Sequence, residues 1–234
     1  MEHFSWVSLI PVVNRLPDHT VVAAVVAIGL IAWAFVARRQ LAAAADPVVP
    51  DDGLTARNIL ETFVENFVQT VEGVLGRGGR KYVHVYGAFF LFILAANLTG
   101  LLPGLSPPTG NFNVTLGLGL SSFVLFVSYG IRANGLGNFL KHMVGPIWWI
   151  GWLMFPLELI DMCVRPFSLA LRLFGNMTGD HLVLGIFTQL TKFGIPVVFY
   201  LLGWFVCIVQ AFVFTLLSLV YVALAVGNHE EEHH

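Results

Sequence analysis

Charge is what this sequence has least of. Only 11% of its 234 residues are Asp, Glu, Lys or Arg, against 57% apolar, whereas a soluble globular domain carries about 25% charged residues. That scarcity excludes an ordinary water-soluble domain, and the mean hydropathy of +0.79 agrees. The net charge is −2 with no basic stripe, so the chain offers no footing for nucleic acid. Cysteine is nearly missing. Cys163 and Cys207 both lie in apolar segments and read as small buried side chains rather than a disulfide or a metal pair. No P-loop, nucleophile elbow or His-Glu-x-x-His pattern occurs, so no catalytic centre, cofactor or metal is expected. Three Asn-x-Ser/Thr triplets, at Asn97, Asn113 and Asn176, sit in or beside apolar runs and are discounted as glycosylation sites.

Long apolar runs are what the sequence has in quantity. Val21 to Ala37, closed by Arg38 and Arg39, reads as a first membrane anchor. Ala42 to Ala45 resembles a signal-peptide cleavage site, but the positive charge follows the run, and a signal h-region is usually only ~7–15 residues long. Asp46 to Gly53 is a linker. In Leu54 to Leu75 the apolar residues Ile59, Leu60, Phe63, Phe67, Val71, Val74 and Leu75 recur at helical spacing, with Glu61, Glu65 and Glu72 around the rest. It is too polar to span. An amphipathic helix lying on the membrane surface or against the other helices fits, as does a cap on a soluble partner. Tyr82 to Leu102 is a second span, Pro103 to Phe112 an uncharged loop, and Asn113 to Ile131 a third span ended by Arg132. A polar connection with Lys141 and His142 leads to a fourth region, Ile147 to Leu190. Lys192-Phe193-Gly194 is a short turn, Ile195 to Val226 a fifth region, and Asn228 to His234 an acidic, His-rich tail.

The expected fold is an all-α polytopic membrane protein with five membrane segments and one amphipathic surface helix, organised as 1–53, 54–81, 82–146 and 147–234. With the amino terminus outside, Arg38, Arg39, Arg57, Arg77, Arg80, Lys81, Arg132 and Lys141 lie inside, against Arg15 and Lys192 outside. That is a positive-inside pattern with a cytoplasmic carboxyl terminus. An odd number of dissimilar spans argues against the paired inverted halves of a secondary transporter. The last two regions would be about 65 Å and 48 Å long as helices, against a hydrocarbon core of ~30 Å. They are expected to be tilted or kinked, with Pro156 and Pro166 as bend points, and to pair as an antiparallel hairpin.

One stretch of the fourth region is unlike the rest. At 100° per residue, Glu158, Asp161, Arg165, Ser168, Arg172, Asn176 and Gly179 fall within roughly 40° of one line. Asp180 sits beside that seam and His181 faces away. A charged side chain mid-bilayer costs ~2.5–3.5 kcal/mol on insertion scales, so such groups normally mark an ion or substrate path. Asp161 and Arg165 form an i, i+4 structural ion pair. Arg172 has no such mate, because the nearest seam acids, Asp161 and Glu158, are roughly 16 and 21 Å away along the axis. A guanidinium does not release its proton. It acts as a fixed charge that holds a passing carboxylate ionised, while the same carboxylate facing lipid is protonated. The acid must come from a partner. Asn176 could orient Arg172 or be structural. Glu158 lies toward the cytoplasmic end, and Asp180 with His181 toward the outer end, where a histidine suits a relay or forms a satisfied buried pair with the aspartate. On the last helix Gln210 is the strongest polar group, and Tyr221 shares its face. Asn97, Asn111 and Asn113 line the outer route or cap helices. A stand-alone transporter binding an anionic solute, or a scaffold, are the competing readings.

The sequence Ser168-Leu169-Ala170-Leu171-Arg172-Leu173-Phe174-Gly175-Asn176-Met177, preceded by Arg165-Pro166, resembles the signature of subunit a of the rotary F-type ATP synthase. Val209-Gln210-Ala211-Phe212-Val213-Phe214 through Tyr221 resembles that family's last helix, and Asn113-Val114-Thr115-Leu116 its segment after the outer loop. The resemblance covers roughly Tyr82 to Val226, and the first eighty residues match in layout. It implies an ion-translocating, non-catalytic stator subunit of a bacterial inner membrane, carrying protons through two offset half-channels. The implied partners are the c-ring, the peripheral-stalk subunit b and membrane lipid. Arg172 is then the arginine facing the ring carboxylate, with Asn176 and Gln210 near it and Glu158 in the cytoplasmic half-channel. Seven residues before the glutamine, where the family often has an acid or a histidine, this chain has Gly203. The outer route would then depend on Asp180 and His181.

Overall fold

The computed structural model describes residues 17–43, 55–102, 105–144, 151–191 and 194–226. The 46–53 linker, residues 147–150, Lys192 and Phe193 of the turn, and the 228–234 tail lie outside the described residues. Those described are helical, with no strand among them. They form α1 (Asp18–Ala43), α2 (Ala56–Leu75), α3 (Val83–Thr99), α4 (Phe112–Val144), α5 (Gly151–Leu190) and α6 (Ile195–Val226), with 3-10 turns at Arg77–Tyr82 and Pro108–Gly110. Four segments are long and apolar enough to cross a membrane: Asp18–Ala42, Gly78–Thr99, Phe112–Gly137 and Pro196–Val226. The chain is a multi-pass helical membrane protein. α5, with 40 residues, has the length but carries Glu158, Asp161, Arg165, Arg172 and Asp180, and it is not among the four.

Two compact units divide the chain, Met1–Pro108 and Thr109–His234. In the first, Val22 and Val26 of α1 pack with Leu30, Phe92, Ala95 and Leu105. Most of α1 is apolar all round and leaves Val25, Ile28, Ile31 and Phe35 exposed, the pattern of a lipid-facing helix. The amphipathic α2 buries Phe67 and Val71. Phe63 stacks between Phe67 and Phe90 of α3, with both centroid separations 5.4 Å, an offset geometry worth about 0.5–1.5 kcal/mol per pair beyond area burial. α2 ends at Gly76, whose φ of 68° suits glycine and whose N–H reaches the Glu72 carbonyl at 2.9 Å. Arg57 is counted from sequence among cytoplasmic charges, but the structure buries it to 2% exposure. Its Nε donates to Glu61 Oε1 at 2.7 Å, and its backbone N–H donates to Gln40 Oε1 at 3.1 Å.

In the second unit α4, α5 and α6 pack on one another. α5 buries Met162, Leu169, Ala170, Leu173 and Met177, and α6 buries Cys207, Gln210, Ala211, Phe214, Ser218 and Val222. Both sets repeat at three and four residues, which makes one packed stripe per helix. Small residues permit close approach. A Cβ on Gly119 of α4 would lie 2.5 Å from the Pro166 carbonyl oxygen, so only glycine fits there. Ser122 donates to Ser218 across the α4–α6 contact at 2.8 Å, and Asn134 Nδ2 donates to the Ala225 carbonyl at 2.7 Å.

Three expectations change. Cys163, read as a small buried side chain, is exposed, while Cys207 is buried. The third span was expected to stop at Ile131, but the helix runs on past Arg132 and breaks only at Gly135, whose φ of 74° and ψ of 156° make a kink before a second helical piece that ends at Val144. α5 stays one continuous helix through both Pro156 and Pro166. α5 and α6 pair antiparallel with a regular register. Phe187 stacks on Phe199 with centroids 4.4 Å apart. Eleven residues back on α5 and eleven forward on α6, Asn176 meets Gln210. Eleven more each way, Arg165 meets Tyr221. Eleven residues are close to three helical turns, so the three rungs lie on one face of each helix.

Candidate functional site

The polar seam of α5 runs along one edge of the buried stripe, so its side chains are neither lost in the core nor all turned outward. Arg172 is exposed. Among the described residues no carboxylate stands within ion-pair distance of its guanidinium, whereas Arg165 is paired with Asp161. Arg165 Nε donates to Asp161 Oδ2 at 3.0 Å, as the i, i+4 spacing predicts. Arg165 also faces the Tyr221 and Phe126 rings, at 5.2 and 5.7 Å from guanidinium carbon to centroid. Sequence reading missed this contact, since Phe126 comes from another helix. The matching eleven-residue steps Arg165–Asn176 and Gln210–Tyr221 were the signal that could have found the tyrosine.

One turn beyond Arg172, Asn176 Nδ2 donates to Gln210 Oε1 at 2.6 Å. Gln210 is 3% exposed, and its Nε2 is buried without a partner; so are Thr178 Oγ1 and Asp180 Oδ2. A buried polar atom left unpaired costs ~1–3 kcal/mol, so the two at one place, Gln210 Nε2 and Asp180 Oδ2, call for an explanation. Beside them a cleft of about 380 Å³ is lined by Gly175, Asn176, Gly179 and Asp180 of α5 and by Phe205, Val206, Val209 and Gln210 of α6. Its volume has room for on the order of ten waters at ~30 Å³ each. An open cleft bordered by a carboxylate and two amides can hydrate an ion or pass a proton along water.

The remaining candidates stand apart from this cleft. Glu158 is half-buried two turns before Arg165, and His181 is half-buried beside Asp180 and holds an interaction of its own. Asn113 is exposed in the first turn of α4, where Asn111 Oδ1 accepts its N–H at 2.9 Å, so Asn111 caps that helix. Gly203 is buried in α6.

The family model described as "ATP synthase A chain" matches residues 19–223, from the first helix to the end of the last. A protein of Bdellovibrio bacteriovorus called ATP synthase subunit a is 39% identical over 225 residues, which cover 96% of this chain and 98% of that one. ATP synthase subunit a 1 of Syntrophotalea carbinolica is 42% identical over 177 residues, 76% of this chain and 74% of its own. ATP synthase subunit a of Geobacter sulfurreducens is 41% identical over 177 residues, 76% of each chain. With the match spanning nearly all of the sequence, and the arginine, asparagine and glutamine brought to one place on paired helices, this chain belongs to the ATP synthase A chain family.

Proposed function

We propose that the chain is the ion-translocating stator subunit of a bacterial ATP synthase, not itself catalytic, which passes protons through two offset half-channels against a rotating c-ring. The observation that carries this reading is Arg172, an exposed guanidinium in the middle of a 40-residue helix with no carboxylate of the described chain within reach. A ring carboxylate arriving at Arg172 stays ionised, because the fixed cation lowers its pKa. It releases its proton into one route before that point and takes one from the other route after it. Protonated, it can cross the lipid face; ionised, it cannot, since an unpaired charge is too costly there. The arginine therefore blocks direct flow between the routes and makes rotation the only passage. One charge crossing 100 mV is worth ~2.3 kcal/mol, so several protons drive each ATP.

The cleft bordered by Asn176, Asp180 and Gln210 suits the outer route; His181 and Asn113, which do not line the cleft, serve that route as a relay and at its mouth. Glu158, toward the cytoplasmic end of α5, belongs to the cytoplasmic route. Asp180 supplies the carboxylate that Gly203 does not. On this reading α5 is a fifth membrane segment. At about 60 Å for α5 and 48 Å for α6, against a core of ~30 Å, both are tilted, and the hairpin presents a broad face to the ring. α2, with Ile59 and Val64 exposed beside its glutamates, lies at the cytoplasmic surface, where the peripheral-stalk subunit b and lipid are its neighbours. The amino terminus is outside and the carboxyl terminus cytoplasmic.

Arg172→Ala in the assembled complex is the test. ATP-driven proton pumping in inverted vesicles is expected to vanish while the chain remains in the membrane beside its ring. Pumping that survives, or proton flux through the purified chain alone in liposomes, contradicts the proposal.

A further inference from the structure

We propose that Arg165 is a positioning residue: clamped between Asp161 and the rings of Tyr221 and Phe126, it sets the rotation of α5 and so the aim of Arg172. The inference rests on the role given to Arg172 above. An i, i+4 ion pair ties a helix only to itself and, when exposed, is weak. Here Asp161 is 54% exposed while the Arg165 side chain is only 20% exposed. What covers the guanidinium is aromatic, and it comes from elsewhere: Tyr221 from α6 at 5.2 Å and Phe126 from α4 at 5.7 Å. Both lie within cation–π range, where a planar guanidinium is the favoured cation. One side chain therefore fastens three helices.

The surroundings are built to match. Gly119 lets α4 approach the Pro166 carbonyl, the residue next to Arg165, more closely than any side chain would allow. Ser122 and Ser218, one turn from Phe126 and Tyr221 respectively, close a buried hydrogen bond of 2.8 Å between α4 and α6. The gap that Gly119, Ser122, Phe126, Arg165, Pro166 and Tyr221 leave among them is about 10 Å³, the size of a single water at most. This is a closely packed joint, unlike the cleft at Asn176. Arg172 lies seven residues beyond Arg165, which is two turns and about 20° around the axis. Any rotation of α5 at the joint therefore reaches Arg172 undiminished. On its other side Arg172 is followed, after one turn, by the Asn176–Gln210 hydrogen bond. A helix pinned at Arg165 and Asn176 cannot turn about its axis, and Arg172 sits between the pins.

The test uses the complete ATP synthase in inverted vesicles, with ATP-driven pumping normalised to the amount of this chain in the membrane. Arg165→Gln and Tyr221→Leu are each expected to pump about tenfold less, the scale of a desolvated cation–π contact. Tyr221→Leu is expected to fall well below Tyr221→Phe, which keeps the ring and loses only the hydroxyl. The double variant Arg165→Gln/Tyr221→Leu is expected to be no worse than the weaker single variant, since both remove one contact. Independently of pumping, Ser122→Cys with Ser218→Cys forms a disulfide on mild oxidation, and adding Arg165→Gln is expected to lower its yield several-fold. Tyr221→Phe as damaging as Tyr221→Leu, a double loss equal to the product of the single ones, or an unchanged disulfide yield each overturns the clamp. Pumping retained by Arg172→Ala would instead overturn the reading of Arg172, with the disulfide yield still deciding on the joint.

Discussion

Two arginines, one in each compact unit, are handled in opposite ways. Arg57 of the first unit is 2% exposed and held by Glu61 of its own helix at 2.7 Å. Arg172 of the second is exposed on a helix whose acids are out of its reach. The first arrangement spends a carboxylate to make a buried cation tolerable, and the result is structural. The second withholds the carboxylate, and the cation stays available to something outside the chain. One helix contact in each unit shows a similar difference. The α2–α3 contact is closed by stacked Phe63, Phe67 and Phe90, whereas the cleft between α5 and α6 is bordered by Asp180 Oδ2 and Gln210 Nε2, both buried without partners.

The contrast can be broken by making Arg172 resemble Arg57. Ser168→Glu places a carboxylate one turn before Arg172, in the favoured orientation for an i, i+4 pair. ATP-driven pumping should be lost almost completely, with the chain still in the membrane; pumping at the parental rate would mean that Arg172 needs no free charge. The reverse change, Glu61→Leu, takes the carboxylate from a buried guanidinium and is expected to cost on the order of 3 kcal/mol of stability. It should show as lower chain abundance and a lower melting temperature in detergent. Asn176→Leu removes the hydrogen bond to Gln210 and leaves a second amide atom of Gln210 unpaired, so a loss of about tenfold in pumping is expected, in line with a cost of ~1–3 kcal/mol. The smallest effect belongs to Ser218→Ala. Membrane-buried side-chain hydrogen bonds average about 0.6 kcal/mol, so its melting temperature should shift little and its pumping should stay close to that of the parent.

Much of the fold was legible because apolar periodicity is a local signal. Ile195 to Val226 read from sequence is α6 to the residue, and Leu54 to Leu75 differs from α2 only at its first turn. Arg132 looked like the end of a span, but the helix runs past it and breaks only at Gly135, at positive φ, which a charge rule does not anticipate. Arg57 was counted only as a cytoplasmic charge because its burial depends on the way α2 packs within its unit, which no spacing along the chain records. At the candidate site the seam on α5 was visible, since all its members share one helix face. The Asn176–Gln210 hydrogen bond and the clamp on Arg165 were not, because both are set by the register between helices. Only the repeated step of eleven residues on α5 and α6 carried a trace of that register.

The most direct measurement is of what the Arg172 guanidinium touches. In the whole complex, with this chain carrying 15N and every other subunit carrying 13C, solid-state NMR distances from the Arg172 nitrogens should find a carboxyl carbon on a neighbouring subunit within about 4 Å, the range of an ion pair. With this chain carrying both 15N and 13C and every other subunit unlabelled, no such contact from the Arg172 nitrogens to a carboxyl carbon should appear. A close approach to Glu158, Asp161 or Asp180 of the same chain would contradict the role given to Arg172.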